Sequence, residues 1–173
     1  MVRVLQVLVT GPFGVGKTQF ISTISDIPIV TTERKMSMPF QDSEKDHTTV
    51  AMDYGRSQIN DDTIHMRGTP GQERFEFMWA ILSKEVDGQL FLVDSTNPTE
   101  YDSARHLLNL ITRKGSPPTV VVANKMDLPG AVSVDEVRQS LAIPIQIQVT
   151  ACNSTEKASV RAVLEQLASL IPK

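Results

Sequence analysis

Val4-Leu5-Gln6-Val7-Leu8-Val9-Thr10-Gly11-Pro12-Phe13-Gly14-Val15-Gly16-Lys17-Thr18 decides how this chain is read. Val4 to Val9 is a short apolar, β-branched run of the kind that fills a fully buried strand. Gly11 to Thr18 matches G-x-x-x-x-G-K-[ST], and Gly16 to about Ser25 reads as a helix. A strand, a glycine loop and a helix in that order form a cradle for a polyphosphate. The glycines let the backbone wrap closely, its N–H groups point inward, and the helix presents its positive end. Lys17 is placed to reach the β and γ phosphates, and the Thr18 hydroxyl to coordinate Mg²⁺. The residues expected to contact the nucleotide here are Gly11, Phe13, Gly14, Val15, Gly16, Lys17, Thr18 and Gln19. A mere glycine-rich turn is the alternative, and the flanking strand and helix count against it.

Outward from this loop, apolar runs alternate with helical patterns. Strands are predicted at Leu90–Val93, Val120–Ala123 and Ile145–Val149. Helices are predicted from Pro98 to about Arg113, over Ser133–Leu141 and over Ala158–Ile171. Asn97-Pro98-Thr99-Glu100 and Ser133-Val134-Asp135-Glu136 carry the side chains of a helix N-terminus. Such alternation implies an α/β fold, a mostly parallel sheet with helices on both faces. Thr49–Gln58 and Thr63–Arg67 break it, as two strands joined by Ile59-Asn60-Asp61-Asp62. That hairpin makes one edge antiparallel, for six strands in all. Asp26 to Thr48 has weak periodicity and reads as a long functional loop.

Composition narrows the function. The chain has 173 residues, which suits one domain over 1–173. Seventeen Lys+Arg against 20 Asp+Glu leave no basic excess, so nucleic-acid binding is not expected. One cysteine, Cys152, rules out an intrachain disulfide and a multi-cysteine zinc site, and fits a reducing, cytoplasmic setting. No run approaches the roughly 20 apolar residues of a membrane span, and the ends carry no lipidation signal, so no membrane anchor is expected.

Asn124-Lys125-Met126-Asp127 follows the Val120–Ala123 strand, at the strand end where open α/β sheets bind ligands. The Asp127 carboxylate can accept from the N1–H and the 2-amino group of guanine. Adenine has neither donor on that edge, so the carboxylate selects guanine. Alone the motif is weak, and with the phosphate loop it is strong.

With both motifs in place, the chain resembles a Ras-superfamily small GTPase from end to end. This likeness implies a six-stranded P-loop G domain, GTP/GDP and Mg²⁺ as ligands, and hydrolysis of GTP. The stretches Gly11–Thr18, Thr49-Val50-Ala51-Met52-Asp53-Tyr54-Gly55 and Gly68-Thr69-Pro70-Gly71-Gln72-Glu73-Arg74-Phe75 are most similar to the prokaryotic branch of MglA-type and conservon-type proteins. Thr150-Ala151-Cys152 resembles the family's second guanine loop. The resemblance makes Thr49 the switch I threonine, a Mg²⁺ ligand in the triphosphate state, with Thr48 as the alternative. It makes Gly71 the γ-phosphate glycine and Gln72 the residue that orients water. Lys17, Thr49 and Gln72 are thus the catalytic candidates.

Three departures stand out. Where the superfamily has Asp-x-x-Gly, this chain has Gly68-Thr69-Pro70-Gly71, so the usual metal-side carboxylate is missing. If Asn60 and Asp61 form a two-residue loop, Asp53 falls opposite Gly68, and directly opposed residues share a face. Asp53 is therefore the candidate replacement, through water, beside Thr18 and Thr49; a solvent-facing strand Asp is the alternative. Phe13 is bulky where Ras-like chains often have Gly, which predicts slow hydrolysis; local packing that is tolerated, as in similar prokaryotic chains that read Gly-Phe-Gly, is the alternative. No Arg immediately precedes Thr49, and Arg34 is only a weak candidate for a cis finger.

Phe75, Phe77, Met78 and Trp79 form a dense apolar run that spans more than one helix face, so some of them are expected to be exposed as a partner surface; packing of all four under the sheet is the alternative. The partners expected are effectors and regulators at Asp26–Thr49 and Gly71–Trp79, roadblock-type dimers among them, on a chain that is itself a monomer. The leading expectation is a GTP-hydrolysing switch. A GTP-binding interaction protein with negligible hydrolysis is the second, and an ATP-dependent kinase is disfavoured by Asp127.

Overall fold

In a computed structural model, which describes residues 2–37, 47–71 and 76–173, the opening apolar run lies at the centre of a seven-stranded sheet. The strands are β1 (Val4–Thr10), β2 (Val30–Ser37), β3 (His47–Ile59), β4 (Asp62–Gly68), β5 (Gly88–Asp94), β6 (Thr119–Asn124) and β7 (Gln148–Ala151). Their order is β2-β3-β4-β1-β5-β6-β7. From β4 to β7 the neighbours run parallel, while β2, β3 and β4 pair antiparallel. The helices are α1 (Lys17–Ile24), α2 (Glu76–Leu82), α3 (Tyr101–Ile111), α4 (Val134–Ser140) and α5 (Lys157–Leu170).

Strand alternation divides the core. Leu5, Val7 and Val9 face Phe20 and Ile21 of α1 and Val160, Val163 and Leu164 of α5. Leu8, Phe91, Val93 and Val121 face Met78 and Trp79 of α2, Leu107 and Leu108 of α3 and Val137 of α4. Each of these buried side chains contributes about 1.5–3 kcal/mol. The two layers hold the C-terminal ends of five parallel strands along one rim, and the candidate site is built there.

Four expectations need correction. The sheet has seven strands rather than six, because Val30–Ser37 pairs with β3 from Val30↔Tyr54 to Ser37↔His47. That segment was expected to be loop. Ile145–Val149 is not a strand along its length. The Arg138 guanidinium donates to the carbonyls of Pro144 (3.1 Å) and Ile147 (2.9 Å), which ties residues 144–147 into a turn. Ile145 is left exposed and β7 starts only at Gln148. Pro98–Glu100 is a separate 3₁₀ turn before α3, since Asn97 accepts from the Thr99 hydroxyl (2.6 Å) instead of capping a helix N–H. Finally, Met78 and Trp79 are fully buried; the Trp79 indole stands edge-on to Phe91 and donates to Pro70 O at 3.2 Å. Phe77 is half-buried, and Phe75 lies outside the described residues. The Ser133 cap of α4 forms as expected, accepting from Glu136 N at 3.1 Å.

The hairpin also forms as expected. Ile59 pairs with Asp62, Asn60 takes a φ of 54°, and Asp53 stands directly opposite Gly68. No helix among the described residues is long and apolar enough to cross a membrane.

Candidate functional site

The loop from β1 to α1 turns where only glycine fits. Gly11 has a φ of 143°, and a Cβ there would come within 2.3 Å of Leu92 O. Gly16 has a φ of 101°, and its Cβ would meet the Asn124 amide nitrogen at 2.6 Å. The loop therefore passes directly over the ends of β5 and β6. α1 starts at Lys17, so the unpaired N–H groups of its first turn face the same cleft. The cleft has a volume of about 650 Å³ and is lined by 13–19 and 68–71 together with Thr31, Ala51 and Asp53.

Lys17 is buried and donates to Gly11 O (2.6 Å) and Pro12 O (2.8 Å). Burial pulls its ammonium down from 10.5 to about 8, partly opposed by the charge of Asp53. A desolvated cation held only by carbonyls gains most from an anion placed beside it. Gly71 packs on this corner: a Cβ there would lie 2.6 Å from Phe13 Cα and 2.9 Å from Lys17 Nζ. The Gly71 backbone thus borders the Lys17 corner of the cleft. The Phe13 ring is 76% exposed at the mouth of the site. Gln19 is exposed and donates to the Thr23 hydroxyl at 2.9 Å.

Thr18 Oγ1 donates to Asp53 Oδ2 at 2.5 Å. A hydroxyl and a carboxylate at one point, with room for phosphate and water oxygens, fit a Mg²⁺ ion. Thr49 is not brought to this point. It pairs with Lys35 and stands four residues before Asp53 on β3, about 13 Å along the strand. Gln72 lies outside the described residues.

Asn124 closes the site from the other side. Fully buried, it donates through Nδ2 to Val15 O (2.9 Å) and Ser154 Oγ (2.9 Å) and accepts from Ser154 N (3.1 Å). Lys125 adopts a φ of 61°, uncommon for a residue with a Cβ. In that conformation its ammonium reaches Gly14 O (2.8 Å) and Asp94 Oδ2 (2.7 Å). Burial pushes the Asp94 carboxyl up, but Lys125 and Thr96 outweigh it and hold the group below its ordinary range. Asp127 is exposed.

Thr150 and Ala151 end β7, where Ala151 pairs with Ala123. Cys152 gives its N–H to Ala123 O (2.9 Å) and accepts from Met126 N (3.3 Å). Its side chain lies in the core beneath α5, and burial pushes the thiol up. Any contribution of Cys152 to base binding is therefore through loop shape, not its side chain.

Two residues of this network escaped the motif reading, Asp94 and Ser154. Asp94 ends β5, and the strand-end rule alone points to it. Ser154 has no sequence signal, since its role exists only through Asn124.

A profile of the ADP-ribosylation factor family matches residues 5–171. Mouse ADP-ribosylation factor-like protein 4D is 30% identical over 119 residues, 64% of this chain and 59% of that protein. A Methanocaldococcus jannaschii protein, described as uncharacterized, is 32% identical over 133 residues, 77% of each chain. The match thus spans about three-fifths of the mouse protein's length. Among solved structures, the Arl6 BBS3 small GTPase from Trypanosoma brucei with bound nucleotide analogue GppNp has a TM-score of 0.71 at 19% identity, over 96% of each chain. This likeness establishes a shared fold.

Proposed function

The chain belongs to the ADP-ribosylation factor family of small GTPases, which are GTP-binding switches, and we propose that it binds GTP and GDP with Mg²⁺ and hydrolyses GTP slowly, with a partner's help. One observation carries the reading: Lys125 and Asn124 tie the guanine-selecting loop to Gly14 and Val15 of the phosphate loop. Base and phosphates of one nucleotide therefore bind a single rigid unit. The archaeal relative and the Gly68-Thr69-Pro70-Gly71 motif support a place near the prokaryotic branch of the superfamily.

In the proposed reaction, Lys17 exchanges its loop carbonyls for β- and γ-phosphate oxygens. Gly71 donates its N–H to the γ-phosphate, and Gln72, the next residue, orients a water. That water attacks the γ-phosphorus as the bond to the β–γ bridging oxygen breaks, leaving GDP and phosphate. Thr18 and Asp53 would hold Mg²⁺, joined by Thr49 in the triphosphate state, and the ion would supply neutralisation of phosphate charge. Thr49 pairs with Lys35 on β2, so joining the metal would require it to leave that pairing. Effectors and regulators would then read the β2–β3 edge and the α2 region, without Trp79.

Competition between GTP and ATP for the chain tests the base assignment. GTP should win by at least about a hundredfold, and Asp127→Ala should abolish most of that preference, because a buried base edge left unpaired costs that much. Equal displacement by ATP would refute the guanine reading.

The second reading, binding with negligible hydrolysis, is favoured by Phe13, whose backbone touches Gly71 and whose ring stands at the site mouth. Single-turnover hydrolysis decides between them. A slow but measurable rate, raised about tenfold (~1.4 kcal/mol) in Phe13→Gly, supports a switch with a steric brake. No turnover by either chain, with or without partners, leaves the binding protein.

A further inference from the structure

We propose that the open face of β1, β2, β3 and β4 is a docking surface for an acidic protein segment, one that presents carboxylates at alternate positions. This goes beyond nucleotide binding: Asp53 lines the cleft, and its neighbour Tyr54 points to the opposite face of β3. Leu8, Val50 and Met52 share a core cluster with α2. Past Met52 the same face opens into a hollow of about 470 Å³, lined by Gln6, Thr32, Met52, Tyr54, His65 and Arg67. Val30, the register partner of Tyr54, stands exposed beside it.

The charge on this face is one-sided. Across β3 and β4, Tyr54 pairs with Arg67 and Arg56 with His65. The Tyr54 hydroxyl and His65 Nδ1 are hydrogen-bonded at 2.5 Å along one diagonal of this block, and the two arginines occupy the other. Neither guanidinium has an ion pair among the described residues, and no Asp or Glu among them occupies this face of the four strands. Glu33 borders the hollow, but its register partner is Ala51, in the row of Asp53. Asp87 is held by the Gln6 N–H at 2.7 Å. A chain of net charge -3 thus keeps one sheet face free of acids. Diagonal neighbours across an antiparallel pair are about 7–8 Å apart. Alternate residues of an extended segment are about 7 Å apart and point the same way. Carboxylates so spaced meet Arg56 and Arg67 together, each guanidinium offering the fork that fits a carboxylate. The hollow over Met52 is left for a side chain at the next position of that row. A lipid surface is the weaker match, because anionic bilayers draw clusters of about four to eight basic residues.

The test is fluorescence anisotropy of a short fluorescein-labelled peptide of alternating Glu and Thr, beside a twin with Lys in place of Glu. The full chain should bind the Glu peptide, more weakly as salt rises, and should not bind the Lys peptide. Arg56→Glu with Arg67→Glu should weaken binding of the Glu peptide at least about tenfold and gain the Lys peptide, a reversal that loss of fold cannot produce. If that chain does not fold, Arg56→Gln with Arg67→Gln should still weaken the Glu peptide severalfold. No binding of the Glu peptide by the wild-type chain, or equal binding by wild type and variants, overturns the proposal. So does attachment to phosphatidylserine–phosphatidylcholine vesicles that needs both arginines and comes without peptide binding, which would give the face to a membrane. A dimer in sedimentation that the same substitutions dissolve would give it to a second copy, and overturns it too.

Discussion

Asn124→Ala should lower the stability of the fold by about 3 kcal/mol and weaken guanine-nucleotide binding by about a hundredfold. The amide makes three hydrogen bonds at 0% exposure, two from Nδ2 and one at Oδ1. Such bonds contribute about 0.5–1.5 kcal/mol each, and a buried group left unpaired costs a further 1–3 kcal/mol. After truncation the Ser154 N–H and the Val15 carbonyl lose that partner. The affinity loss has a separate origin, because the same amide fixes the phosphate loop to the end of β6. Urea unfolding of the nucleotide-free chain reads the first effect, and GDP titration the second. Gly16→Ala strikes this contact from the other side, since its Cβ would lie 2.6 Å from the amide nitrogen. It should copy the affinity loss. An Asn124→Ala chain with wild-type affinity would show that the loop holds its shape unaided.

The other large effect is a pH dependence carried by Lys17. Burial lowers this lysine to about 8 in the nucleotide-free fold, whereas an unfolded lysine titrates near ~10.4. Between those values the unfolded chain binds more protons than the folded one, so stability should rise with pH across roughly pH 8 to 10. The full swing is about 3 kcal/mol. Nucleotide binding should show the opposite trend. Phosphates beside Lys17 favour its ammonium and raise its titration point, so binding above pH 8 must take up a proton. Affinity should then fall as pH rises past 8, by at most about tenfold per unit for one proton. Calorimetry in buffers of different ionisation enthalpy measures that uptake directly. Lys17→Met should abolish it, stabilise the free chain near pH 7, and weaken nucleotide binding at least about a hundredfold. Proton uptake that persists in Lys17→Met would assign the titration to another group.

How far the sequence could be read depended on whether a feature was written locally. The phosphate loop was legible because its spacing reflects backbone constraints within eight residues. The Asp53–Gly68 pairing was legible because a two-residue turn at Asn60-Asp61 sets the register of everything beyond it. β2 was not. Thr31-Thr32-Glu33-Arg34-Lys35 carries little apolar alternation, and the strand exists through backbone pairing with β3. Trp79 misled for a related reason. Four large residues close together suggested excess apolar surface, but Pro70 O and the edge of Phe91 give the indole a buried place that only the tertiary fold supplies. Asp94 and Ser154 are meaningful only as partners of Lys125 and Asn124. They became visible once the strand ends stood side by side.

The outermost position of β2 has a consequence for solubility. While β2 is in place, the sheet ends on a strand whose middle reads Glu33-Arg34-Lys35, and charge there discourages another chain from adding on. If Thr49 leaves Lys35 to meet a γ-phosphate, β3 becomes the border, and residues 50–52 offer open N–H and C=O groups, with Ala51 facing out and Val50 and Met52 turned into the core. The activated form would then carry an aggregation hazard that the resting form does not. A partner that covers β3 would act as a chaperone of the active state as well as its reader.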